Sequence, residues 1–277
     1  MDNNSGLFPM EIGAYLERIG YSGTREPTVK TLKQLHRAHM RSVPFENLDI
    51  HLGRPIVVSL ASFYDKIVRC RRGGFCYELN GLFGWLLEQL GFKVVTLSAR
   101  VFRDTQPGAE FDHMLLLIEM EEVRLIADVG FGDSFLEPLL LDSSEAHEQH
   151  GSMYRLTGSE TEKVLQQQRG SDWSPQYIFA LKPCRLDEFS VMCQYQQTSP
   201  ESHFTQKTVC SLATVEGRVT LSNNHLIVTT DGQRKEQEVP NREAYQTSLK
   251  TYFGIELAEG APIHKLMSPT NKLPEPI

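Results

Sequence analysis

The hydrophobic period of this chain changes once, near Phe92, and the change limits the folds open to it. Before that point apolar residues recur at helical spacing; after it they fall into short β-branched runs of the kind that form strands. MEIGAYLERIG places Ile12, Tyr15, Leu16 and Ile19 on one helical face. Thr28 is the N-cap of a second helix with Leu32, Leu35 and Met40 inward. That helix stops near Pro44, because the residue before a proline is pushed out of the helical region. Ser59 caps a third helix through Phe63, Ile67 and Val68. A fourth starts around Cys76 and stops at Gly91, with Leu79, Leu82, Phe83, Leu86, Leu87 and Leu90 as a wide apolar stripe. Asn80 and Gly81 weaken this helix slightly without ending it.

After Phe92, FKVVTLSARVF, HMLLLIEM and VRLIADVGF read as strands separated by turn material such as DTQPGAEFD. SMYRLTG, KVLQQQ, YIFAL, FTQKTVCSLAT, GRVTLSN and HLIVTTD continue the pattern, with alternation too loose to fix registers. Pro240 and Asn241 introduce a last helix in PNREAYQTSLKTYFGI, and the residues after Glu259 read as a surface tail. The predicted order is a helical bundle, an antiparallel β region and a mixed C-terminal region: an α+β chain.

Several function classes are disfavoured at once. Lys and Arg total 28 against 35 Asp and Glu, a net charge of −7, whereas a general nucleic-acid binder needs a surplus of cations. The start, MDNNSGLFPM, lacks the charged and apolar regions of a signal peptide, and no apolar run approaches a membrane span. The five cysteines (Cys70, Cys76, Cys184, Cys193 and Cys210) are too few and unevenly spaced for a disulfide framework. A reducing cytoplasm fits them and leaves a thiol free to react. Their spacings do not match structural zinc, and HExxH, P-loop and GxGxxG patterns are lacking, so no metal is expected.

RCRRGGFCYELN, residues 69–80, sets three arginines and two glycines before a thiol that opens a helix. The first N–H groups of that helix would favour a Cys76 thiolate, nearby arginines would add to it, and N–H groups around Cys76 and Tyr77 suit an oxyanion. A buried, inert cysteine after a Gly-Gly turn explains the same stretch. A thiolate nucleophile wants an imidazole beside it, and the imidazole a carboxylate. His113 opens the strand HMLLLIEM and Asp128 closes VRLIADVGF; pairing the two strands about the turn at Glu121–Glu122 makes these residues neighbours at one end of a hairpin. A capping histidine and a turn aspartate are the competing reading.

Cys76 in RRGGFCYELN, His113 in FDHMLLL, Asp128 in DVGFG and the earlier VPFENLD (residues 43–49) resemble the arylamine N-acetyltransferases, over about residues 10–255. The resemblance implies a helical bundle carrying the nucleophile (residues 1–91), a β-barrel-like domain carrying His113 and Asp128 (92–200) and an α/β lid with a tail (201–277). It implies a papain-like Cys-His-Asp triad and a ping-pong reaction. Cys76 takes acetyl from acetyl-CoA as a thioester and passes it to an arylamine, arylhydroxylamine or arylhydrazine. Phe45, Phe131, Phe204 and Val101 are then expected at the acceptor pocket, with Arg100 beside it, and Gly130 and Gly132 where backbone meets the pantetheine arm. Arg72 and Glu46 are expected as a buried ion pair bracing the active-site turn. The insertion that lengthens some animal members is not evident, so the chain resembles the bacterial type. An amide synthase that closes macrolactams, a thiol acyl hydrolase and a binding module with a vestigial triad remain as rivals.

Overall fold

The computed structural model describes residues 9–149 and 151–267; the first eight residues of the expected leaderless start and the last part of the expected tail lie outside these. The helical segment holds α1 (Ile12–Arg18), α2 (Val29–Ser42), the short strand β1 (Phe45–Glu46), α3 (Leu48–Leu52), α4 (Leu60–Tyr64) and α5 (Cys76–Gln89). Thr28 Oγ1 accepts from Thr31 N at 3.2 Å and Ser59 Oγ from Ser62 N at 3.2 Å, so both expected caps form. Helix α4 does not continue as a plain α-helix through Val68: Asp65–Arg69 is a π-helical turn. Such a turn shifts side chains off the α period, and here Lys66 faces inward, 13% exposed.

The β region contains β2 (Lys93–Arg103), β3 (Gln106–Pro107), β4 (His113–Glu119), β5 (Arg124–Ala127), β6 (Leu139–Leu140), β7 (His147–Gln149), β8 (Ser152–Gly158), β9 (Glu162–Arg169) and β10 (Asp172–Pro183). They pair antiparallel in the order β6-β5-β4-β2-β10-β9-β8-β7, with β3 returning onto β2, in a nearly closed barrel-like sheet. The gap between the edge strands is bridged by one side chain. Gln149 Oε1 accepts from Leu136 N and Glu137 N, both at 2.8 Å, and its Nε2 donates to Glu137 O at 3.0 Å. Strand β4 is buried on both faces, which is why its sequence alternates so poorly. Leu115 and Leu117 point into the barrel with Tyr177 and Phe179, whereas Met114, Leu116 and Ile118 pack against α5.

Three elements differ from the sequence expectation. Leu186–Phe189 is a 3₁₀ turn leading into α6 (Ser190–Thr198), in a stretch read as β territory. Its few apolar residues give a weak periodic signal, yet Phe189 and Cys193 are buried against the helical core. FTQKTVCSLAT opens not as a strand but as α7 (His203–Gln206), because Ser202 Oγ accepts from Phe204 N at 3.2 Å and starts a helical turn. The described part of the expected surface tail is docked: Ala261, Ile263 and Leu266 are buried, and α9 (His264–Met267) closes on the C-terminal core, after α8 (Arg242–Phe253). That core sits on a second antiparallel sheet, β1-β11-β12-β13-β14, made with β11 (Val209–Ala213), β12 (Gly217–Ser222), β13 (His225–Thr230) and β14 (Gln233–Glu238). Phe45 pairs with Ser211 and Glu46 with Cys210, so VPFENLD is stitched to the far end of the chain.

A buried histidine fastens α2 to the segment after β5. His36 Nε2 lies 3.1 Å from Asp128 N, which can only donate, so Nδ1 carries the proton and donates to Leu136 O at 2.9 Å. His36 is therefore held neutral, and burial lowers its pKa from 6.5 to about 4 despite these backbone bonds. Because the folded pKa lies below the unfolded one, the unfolded chain takes up the proton first, and stability present above pH 6.5 is lost as pH falls toward 4. Urea midpoints are expected to drop over that window by an amount equivalent to about 3 kcal/mol, with a shallower slope in His36→Gln. An unchanged slope in the variant would assign the loss to other groups.

Candidate active site

The turn before α5 is built by close backbone approach. A side chain at Gly73 would run into Pro44 O, and Gly74 O accepts from Glu46 N at 2.8 Å. Cys76 is the first residue of α5 and is 3% exposed. The expected arginine support for the thiol does not form. Arg69 stacks on the Tyr64 ring and pairs with Asp65, and Arg71 is exposed at a positive φ of 51°. Burial pushes the Cys76 thiol well above its ordinary value and the carboxylates of Asp112 and Asp128 push the same way, against a contact with the Met114 backbone.

Arg72 turns inward instead. Its Nη2 lies 2.7 Å from Glu46 Oε1 and 3.1 Å from Asp49 Oδ1, with Nε 3.0 Å from Glu46 Oε1. The pair is part of a larger buried cluster, since Lys66 Nζ meets Asp49 and Glu78, each at 2.9 Å. Glu78 Oε2 in turn accepts from Phe75 N at 3.1 Å, one residue before the thiol. Burial and the neighbouring Glu46 push the Glu78 carboxyl up to about 7, against the pull of Lys66. Sequence reasoning found two of these five charges. Asp49, Lys66 and Glu78 were missed; the π turn is what carries Lys66 to the two carboxylates.

The ladder between β4 and β5 ends at Leu116 opposite Ala127, leaving Asp128 to turn in toward His113. The two side chains meet at 2.8 Å, from His113 Nε2 to Asp128 Oδ2. Asp128 is fully buried and accepts three further bonds: Tyr177 Oη to Oδ2 at 2.9 Å, Asn80 Nδ2 to Oδ1 at 2.9 Å, and Gly130 N to Oδ1 at 3.0 Å. Burial alone would raise this carboxyl; His113, Asn80 and the Gly130 amide outweigh it and hold it below its usual range. Asn80 and Tyr177 were not singled out in the sequence. Asn80 stands one turn after Cys76 on the same helical face and also donates to Met114 O at 2.6 Å and accepts from Val129 N at 2.9 Å. That i, i+4 spacing was the available signal.

A cavity of about 350 Å³ opens beside Cys76 and His113, and Phe45, Val101, Phe131, Phe204 and Gly130 line it too. Phe131 packs on the rings of His113 and Tyr177, and Phe204 on Phe45 and Phe75. The polar wall includes Arg103, Asp112 and Gln196, none of them foreseen; Gln196 comes from the unexpected helix α6. A Cβ at Gly130 would stand 2.8 Å from Cys76 Cα and 2.6 Å from Asn80 Nδ2, so only glycine lets the DVGFG turn approach the thiol this closely. Gly132 does not line the cavity; its φ is 88°, and a Cβ built there would stand 3.5 Å from the Phe45 ring. Among the described residues no group of three or more His, Cys, Asp or Glu is placed to hold a metal ion, and no helix is long and apolar enough to cross a membrane.

Arg72→Met strands buried carboxylates without their partner and is expected to cost about 3–5 kcal/mol, read as a fall in urea midpoint; an intact fold and activity would show that the pair braces nothing. Gly130→Ala is expected to cost about 1–3 kcal/mol by overpacking against α5, with activity falling further than stability alone accounts for. Wild-type stability and activity in that variant would contradict the close approach.

The profile of the N-acetyltransferase family matches residues 28–261. An arylamine N-acetyltransferase of Mycolicibacterium smegmatis is 35% identical, over 90% of this chain and 94% of its own length. The structure of an M. smegmatis arylamine N-acetyltransferase superposes with a TM-score of 0.86 at 33% identity, covering 94% of this chain and 98% of that one. The Mycobacterium marinum arylamine N-acetyltransferase in complex with CoA gives 0.82 at 30% identity, over 88% of this chain and 93% of that one. The chain belongs to the arylamine N-acetyltransferase family and is an acyltransferase.

Proposed function

We propose that this protein moves an acetyl group from acetyl-CoA to an arylamine, arylhydroxylamine or hydrazine by a ping-pong reaction through Cys76. The observation that carries the assignment is a buried carboxylate with four donors, one of which, His113, lies at the wall of a cavity that Cys76 also lines. With Nε2 bound to Asp128, the other imidazole nitrogen of His113 is the one available to the thiol. The desolvated thiol is a poor acid by itself, so its thiolate forms by transfer of the proton to His113, and Asp128 stabilises the imidazolium.

The thiolate attacks the acetyl carbonyl, the bond to the CoA sulfur breaks, and the departing CoA thiolate takes the proton from His113. The acceptor nitrogen then attacks the Cys76 thioester carbonyl, the acyl–sulfur bond breaks, and His113 relays the amine proton so that the thiol is restored. Backbone N–H groups around Cys76 and Tyr77 suit the oxyanion of both steps. The aromatic walls fit a flat acceptor ring, and Gly130 sits where the donor's arm must pass the thiol. Arg72 and Glu46 act at one remove, by holding the turn before α5. The M. marinum relative bound to CoA supports acetyl-CoA as the donor. All five cysteines are unpaired, which suits a thiol nucleophile in a reducing cytoplasm. Detoxification of aromatic amines is a role this chemistry would serve.

Mixing the protein with acetyl-CoA and an arylamine is expected to release CoA and acetylated amine together, and Cys76→Ala to abolish both. Asp128→Asn is expected to lower kcat on the order of 10³-fold or more, because one amide oxygen cannot serve the donors that two carboxylate oxygens hold and the imidazolium loses its counter-charge. CoA release without acetylated amine would point to hydrolysis, and full activity in Asp128→Asn would sink the proposed triad.

A further inference from the structure

Asp112 precedes His113 in the chain and lines the same cavity, yet the acyl-transfer chemistry above gives it no task. Its side chain is 5% exposed. Oδ1 accepts from Gln196 Nε2 at 2.6 Å. A carboxylate can only accept, so the amide orientation is fixed, and Gln196 Oε1 takes the Ser202 hydroxyl at 2.6 Å. Ser202 Oγ also accepts from Phe204 N at 3.2 Å, at the start of α7, whose ring lines the cavity. The carboxylate is thus locked in place on a wall that it shares with the rings of Phe45, Phe131 and Phe204 and with the polar Arg103, Asp104 and Gln196. Its countercharge is weak: Arg103 Nη2 lies 3.9 Å from Oδ2 and is 44% exposed. Among the described residues on the cavity wall, Arg103 is the one permanent cation, against the carboxylates of Asp104 and Asp112. Solvent screens an exposed guanidinium far more than a buried carboxylate, so the field inside the cavity is negative.

We propose that Asp112, held by Gln196, is a specificity-determining residue that makes the acceptor site favour neutral or cationic aromatic amines and hydrazines over those bearing a carboxylate. The proposal rests on the acetyl-transfer reading above. Coulomb repulsion acts through the cavity and needs no direct contact with the ring substituent. The locked geometry also means that Asp112→Asn keeps an acceptor for the Gln196 amide while removing the charge.

The test is a competition for one acetyl-enzyme. Limiting acetyl-CoA is offered with equal amounts of 4-aminobenzoate and 4-aminobenzamide, which have nearly the same shape, and the two acetylated products are quantified. Because both acceptors draw on the same thioester, their ratio does not depend on how fast Cys76 is acetylated. Asp112→Asn is expected to raise the share of acetylated benzoate on the order of tenfold relative to wild type. Arg103→Gln, a half-exposed change that keeps Asp112, is expected to move the ratio the other way by about threefold. Products from both acceptors with a ratio that neither variant moves, or that both move in the same direction, would overturn the charged subsite alone. No acetylated product from the wild-type protein would overturn the acetyl-transfer reading beneath it.

Discussion

The rest of the site depends on keeping one carboxylate charged in a dry interior. An ionised carboxylate without partners cannot persist in such a place; it would take up a proton instead. Asp128 escapes this because its four donors converge from separate elements: His113 from β4, Asn80 from α5, Tyr177 from β10 and the amide of Gly130 from its own loop. The helical segment and the barrel are therefore joined at the group on which the imidazole depends. The same arrangement commits Nε2 of His113 to Asp128. The backbone of Asp128 is tied a fifth way, through neutral His36 on α2.

Around that node the charges are divided by depth. The thiol stands where burial opposes a thiolate, so in the proposed reaction its proton moves to His113 rather than to water. The arginines that precede it give no help. Arg72 is spent on Glu46 and Asp49, in a cluster where Lys66 and Glu78 complete the charges and Glu78 also holds the amide of Phe75. In the proposed reaction the cluster holds the turn, and the imidazole supplies the electrostatics. Asp112 lines the cavity wall, held by Gln196.

Much of this was legible in the chain, for identifiable reasons. The caps at Thr28 and Ser59 are short-range signals, and they formed as expected; Asn241, read as introducing the last helix, turns out to cap it. The neighbourhood of His113 and Asp128 followed from a single hairpin register, although the ladder stops one residue short of Asp128 and three short of His113 and a side-chain bond covers the remainder. What could not be read were contacts made between elements distant in sequence. Tyr177 looked like any tyrosine in a strand, and Asn80 like a weak spot in a helix. The π turn at Asp65–Arg69 has no pattern of its own, so Lys66 and Glu78 stayed hidden. Helix α6 was missed because burial of Phe189 and Cys193, more than propensity, holds it in place, and with it went Gln196.

The covalent intermediate is the most direct measure of the central claim. The protein, incubated with acetyl-CoA and no acceptor, should be examined by intact-mass and peptide-mapping mass spectrometry. One acetyl group on Cys76, with Cys70, Cys184, Cys193 and Cys210 unmodified, and its loss on adding an arylamine, is the predicted result. Acetylated amine formed at full rate while Cys76 never carries the acetyl group would contradict it, because transfer would then bypass the thiol around which His113 and Asp128 are arranged.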